Sequence, residues 1–176
     1  MKAMLLIIAA VSASMAFAQA DGPKMKPPKD VKTSTAPVTH AEAKMTFEKA
    51  WKSLGSGLKV KGPNPVAMVS DKKPITKDEV LVAFKAIVSH VAPKFKRSAT
   101  PVKFKSNRLR KDLDQTQFGK LIKDGFVMPV GPIVIGKNGP VTTLEFGDAV
   151  GVLLVRISDL IHMPSRKFTP DLMKSG

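Results

Sequence analysis

The chain contains no cysteine. This excludes disulfides, thiolate zinc sites and a lipid-modified cysteine, so the protein must fold by packing alone. Acidic residues are also scarce: 14 Asp and Glu stand against 29 Lys and Arg, leaving a formal net charge of +15. Such a chain is drawn to whatever anionic polymer shares its compartment. No serine lies in a nucleophile elbow and no glycine-rich phosphate loop occurs. His40, His90 and His162 are scattered, without a second ligand at metal-binding spacing. We therefore expect no catalytic residues, no metal and no cofactor, and read each histidine as a helix-surface residue. Asp112 and Asp114 lack the glycine and closing glutamate of a calcium loop and read as caps for the helix that follows.

Long apolar runs are missing as well. Lys2 followed by the apolar stretch 3–11 and the small residues Ala16-Phe17-Ala18 reads as a secretory signal over residues 1–18, with cleavage after Ala18 or Ala20. The run falls well short of the roughly 20 residues that span a bilayer. The mature chain is thus expected to carry no transmembrane segment and to reach the periplasm, cell envelope or cell surface. Residues 19–38, rich in proline, lysine and threonine, read as an extended flexible linker.

What the sequence does have is a repeated phrase. "PITKDEVL" begins at Pro74 and "PVTTLEFG" at Pro140. Thr76 with Glu79, and Thr142 with Glu145, have the spacing of a helix capping box, and Ile75 with Val80 and Val141 with Phe146 the spacing of a hydrophobic staple. After the first box an apolar stripe runs through Leu81, Phe84, Ile87 and Val91 to Pro93; after the second it runs through Val150, Leu153, Ile157 and Leu160 to Met163-Pro164. That spacing marks one face of a helix. Gly147 and Gly151, four apart on the second helix, read as points of close approach by another helix, with tolerated weak spots as the alternative. Two further helices precede these. Thr39 with Glu42 starts one, carrying Phe47, Trp51 and Leu54 and ended by Gly55; Asp114 with Gln117 starts the other, ended by Gly125. The order helix, loop, helix therefore occurs twice, as a tandem duplication whose halves pack on each other.

"DKKPITKDEV" resembles the characteristic segment of S-layer homology domains, in which Ile-Thr-Arg-Ala-Glu opens a helix after a loop, and "GPVTTLEF" is similar to a divergent copy. The resemblance implies a mainly helical fold of two tandem helix-loop-helix units packed as one domain, with long loops leaving room for short extended pieces. The units are residues 39–93 and 113–163, joined by a basic linker at 94–112 and followed by a tail at 164–176. Members of that family usually carry three such modules and bind wall-linked polysaccharide bearing pyruvate ketals. Lys77 stands where the family has its sugar-contacting arginine, keeping the charge without the bidentate fork, and Thr143 stands there in the second copy. The Tyr-Pro-Asp-Gly turn that usually precedes the motif is replaced by "FVMPVGPIVIGKNGP".

By that resemblance the candidate ligand residues are Thr76, Lys77, Glu79, Thr142, Thr143 and Glu145. Trp51 reads as core, with sugar stacking as the lesser option. Lys94, Lys96, Arg97, Lys103, Lys105, Arg108, Arg110 and Lys111 form a basic patch without one acid among them, read as a surface for anionic polymer or as a solvated linker whose phenylalanines enter the core. The expected function is that of a secreted, non-enzymatic protein associating with the envelope, its partner an anionic cell-wall polysaccharide or peptidoglycan-linked polymer and further envelope proteins. A structural or protein-interaction component with no specific glycan ligand is the alternative, and a periplasmic binder of lipid headgroups or nucleic acid comes third. Nucleic acid is the weakest partner, because lysine far outnumbers arginine and base readout favours arginine.

Overall fold

A computed structural model describes residues 35–161. The expected signal, most of the linker, His162 and the C-terminal tail lie outside the described residues. Within them the protein is mainly helical: α1 spans His40–Leu58, α2 Lys77–Val91, α3 Gln115–Lys123 and α4 Thr143–Leu160. Short 3-10 turns occupy Ala92–Lys94 and Ser106–Arg108. Among the described residues there is no strand ladder, only isolated bridges.

Three of the helices begin in the same way. Thr39, Thr76 and Thr142 are N-caps in extended conformation, each accepting from the N–H three residues on, while Glu42, Glu79 and Glu145 reach back to the cap's own N–H. Each box satisfies donors that a helix leaves without an internal partner and is worth about 1 kcal/mol. α3 is capped more simply, Asp114 Oδ1 accepting from the Gln117 N–H at 2.9 Å. It ends at Gly125, whose φ of 78° is the left-handed turn that favours glycine. α1 passes through Gly55, the expected stop, and ends one turn later with Lys59 in the left-handed region at φ 55°.

The three boxed entries meet in one ring. The Val38 N–H donates to the Val141 carbonyl (2.9 Å), Ile75 to Val38 (2.8 Å) and Val141 to Ile75 (3.0 Å). Outside this inner circuit, the first helical N–H of each helix donates to the residue before the next copy's proline: His40 to Lys73 (2.9 Å), Lys77 to Gly139 (3.1 Å) and Thr143 to Ala36 (2.9 Å). The bridges repeat the same cycle, Thr39 with Pro74, Thr76 with Pro140 and Thr142 with Pro37. Proline has no N–H to extend a ladder, so each contact stops after one step instead of growing into a sheet.

The ring therefore has three members, one more than the phrase was counted to have. Pro37-Val38-Thr39, with Glu42 closing the box, is the third copy, and residues 36–38, which the sequence reading gave to the flexible linker, are ordered within it. Val38, Ile75 and Val141 are buried, as are Ala43, Val80 and Phe146 at the staple positions beneath them. Phe47 of α1 meets Phe84 of α2 and Phe146 of α4 edge to face, at 6.1 and 5.3 Å between ring centres, a favoured aromatic geometry. Buried side chains from all four helices form one hydrophobic cluster.

The segment "FVMPVGPIVIGKNGP" is a series of turns that buries Phe126, Val127, Ile133 and Val134. Gly147 and Gly151 do not mark a close helix approach: among the described residues nothing stands within 4 Å of a Cβ placed on either. Without a packing reason, each glycine costs helix stability of about 1 kcal/mol relative to alanine. The variants Gly147→Ala and Gly151→Ala should each raise the urea unfolding free energy by about that amount. A loss of stability in both would show that a neighbour does sit against this face.

Candidate functional site

The residue following each capping threonine, the position of the proposed ligand contact, is His40, Lys77 or Thr143 in the three copies. All three reach across the ring to the neighbouring copy. Lys77 Nζ donates to the Ile135 carbonyl at 3.0 Å, and Thr143 Oγ1 donates to the Ala36 carbonyl at 3.1 Å. His40 makes the most elaborate crossing. Its Nδ1 lies 2.7 Å from Asp71 Oδ1 and its Nε2 lies 3.1 Å from Glu79 Oε1.

His40 is thus not the helix-surface residue expected. Only 8% of it is exposed, and neither ring nitrogen is left for a metal or a substrate. Ionised carboxylates only accept hydrogen bonds, so both nitrogens can donate together only in the imidazolium form. The Asp71 carboxylate is the main cause of a His40 pKa raised above its ordinary 6.5, with Glu79 adding to it against the opposing effect of burial. In return the His40 ring, joined by the Lys73 N–H, lowers Asp71. Burial pushes Glu79 upward, but the Thr76 amide and hydroxyl and the His40 ring outweigh it, leaving Glu79 below the usual carboxylate value. Glu79 is the base of the α2 capping box through Oε2, which accepts from the Thr76 N–H at 2.8 Å, and the clasp to α1 through Oε1. One carboxylate therefore couples two copies.

A second clasp lies at the α2 entry. The Arg110 side chain is fully buried and pairs with Asp78, and its Nη1 lies 3.2 Å from Asp112 Oδ1. Asp112 Oδ2 accepts from the Asn138 N–H (3.0 Å), and Asn138 Oδ1 accepts from the Asp78 N–H (3.3 Å), closing the circuit. The Asn138 N–H, with Arg110, holds Asp112 below its ordinary pKa. Arg110 is accordingly no part of a solvent-facing basic patch, and the segment around it is tied to the body by backbone bonds: its own N–H donates to Val134, Lys96 N–H to Leu160 and Val102 N–H to Lys123. Phe95 stacks on Phe126 at 5.9 Å, and Phe95 and Phe104 pack partly buried against the core. Lys94, Lys96, Arg97, Lys103, Lys105, Arg108 and Lys111 remain exposed. Trp51 is buried, its Nε1 donating to the Gly62 carbonyl at 3.2 Å and its ring edge-on to His90.

The ring therefore gathers Thr76, Lys77, Glu79, Thr142, Thr143 and Glu145 and adds Thr39, His40, Glu42 and Asp71, while Trp51 packs beside His90. The signal for Thr39, His40 and Glu42 is in the chain as "PVTHAE" from Pro37, which matches "PITKDE" from Pro74 at its proline, threonine and glutamate; no such signal marks Asp71.

No family model, curated protein or solved structure matches the chain.

The His40 clasp makes stability depend on pH in a definite direction. Its contribution is complete below the ordinary histidine pKa and lost as pH rises through the raised value in the folded protein; the contributions of Asp71 and Glu79 are present above the ordinary carboxylate pKa and lost as pH falls. Urea midpoints should therefore be highest in mildly acidic solution, and His40→Gln should flatten the alkaline side of the curve. The same alkaline loss in His40→Gln as in the parent protein would refute the assignment.

Proposed function

We propose that the protein is a non-enzymatic, exported component of the cell envelope that associates with anionic wall polysaccharide. The observation that carries this reading is the unequal use of its charges. Among the described acids, Glu42, Glu79, Glu145 and Asp114 cap helices, Asp71 holds His40, Asp78 and Asp112 hold Arg110, and Asp124 holds Lys120. Glu48, Asp148 and Asp159 are left without such a role. Few negative charges remain to balance the exposed lysines and arginines, and an uncompensated positive field attracts polyanions.

The three-membered ring adds support, since members of the S-layer homology family usually carry three modules, although the resemblance gave this chain two. Lys77, half-buried at the ring with the exposed Lys72, Lys73 and Lys137 on the loops that enter it, is the cation we assign to the saccharide. One hydrogen bond to Ile135 leaves its ammonium two further donors.

A second reading is favoured by how fully the ring is occupied. The cap donors are taken by threonine and glutamate, the first N–H of each helix by the next copy, and Trp51 by the core. On that reading the protein is a structural envelope component with no specific glycan, and its charge serves adhesion alone.

Sedimentation with purified wall sacculi, with and without pyruvyl groups and over a range of salt, separates the two. Specific binding should favour pyruvylated sacculi, survive moderate salt and weaken by about tenfold in Lys77→Ala, the loss of one charge-assisted hydrogen bond. Unchanged binding by Lys77→Ala, abolished by moderate salt, would establish diffuse adhesion instead.

A further inference from the structure

At the opposite end of α2 from the ring, a cleft of about 490 Å³ opens between the end of α2, the turn at 95–99, α3 and the end of α4, within the size range of small-molecule sites. Its lining is of two kinds. Val88, Ala92 and Phe95 provide the accessible apolar surface, and the buried Phe126 and Leu160 back it, Phe126 through its stack on Phe95. Lys96, Arg97 and Lys120 provide positive charge. Lys120 is matched by Asp124 at 2.5 Å, which leaves Lys96 and Arg97 as the uncompensated pair. Arg97 donates through Nε to the Asp159 carbonyl at 3.1 Å, an anchor that leaves its two terminal nitrogens available. The N–H groups of Arg97, Ser98 and Ala99 also make no hydrogen bond among the described residues.

An apolar wall beside unmatched cations and free backbone donors suits neither a neutral sugar nor a bare ion. We propose that this cleft binds a single-chain anionic amphiphile, its aliphatic chain along the wall formed by Val88, Ala92 and Phe95 and its acidic head against Lys96, Arg97 and the 97–99 amides. The charge selects the sign of the head, and the apolar wall demands the chain. The inference does not rest on the polysaccharide reading, because the probe below contains no sugar and the readout is local to the cleft; each can fail without the other.

The test is amide chemical-shift mapping of the full-length protein titrated with dodecanoate below its micelle concentration, beside acetate and dodecyltrimethylammonium. Dodecanoate should give saturable shifts confined to residues 95–99, 120–126 and 160, and the two controls should give none there. The double variant Lys96→Gln/Arg97→Gln should raise the dissociation constant about tenfold or more through lost charge-assisted bonds. Ala92→Leu, at an exposed position that lines the cleft, should weaken binding by filling the wall while leaving the charge intact. Equal shifts from acetate or from the cationic amphiphile, shifts spread over other surfaces, or unchanged affinity in either variant would overturn the proposal.

Discussion

The structure depends on three backbone hydrogen bonds that run in a circle from Val38 to Val141, Val141 to Ile75 and Ile75 to Val38. Any one of them alone would be a single bridge between extended residues, worth only about 1 kcal/mol. Together they fix where three helices start, and every other feature of the ring follows from that placement. The side chains of the three bonded residues turn inward over the staple positions. The first N–H of each helix meets the next copy's carbonyl, and the residue after each cap is delivered to its neighbour's loop.

Local features of this arrangement were legible in the sequence. A threonine with a glutamate three positions on carries its partner within one turn, so the boxes at Thr39, Thr76 and Thr142 could be read without any knowledge of the fold. The stripes of α2 and α4 follow equally from helical periodicity. What could not be read were bonds between residues remote in the chain. Asp71 and Glu79 are close to one another in sequence but far from His40, and Arg110 is remote from Asp78. A histidine or arginine shows its burial only once its carboxylates are known, so His40 looked like a surface residue and Arg110 like one cation among many.

Two further features are hidden from the sequence for a different reason. Gly147 and Gly151 show the small-residue spacing of a tight helix crossing, yet α4 turns that side away from the described packing, and spacing alone does not state which face is turned inward. The third copy of the phrase is masked by its flanks, which differ. "TAPVTHAE" follows a proline- and lysine-rich leader, and its first helical residue is a histidine in place of Lys77. The shared proline, aliphatic residue, threonine and glutamate are the parts the ring uses, and the variable position is the one where each copy makes its own crossing.

Because the circle joins residue 38 to residue 141, it cannot close until all three copies are present. A nascent chain that has emerged only as far as α2 has two boxed entries facing an empty third seat, with Val38 and Ile75 exposed. Closure waits on Val141, which lies behind the whole basic segment and α3. Folding to the native topology is therefore a late, long-loop event, governed by how quickly the ends of a hundred-residue stretch find each other. Until then the lysines that crowd the chain hold it apart, and the same charges that decorate the finished surface keep the unfinished one soluble.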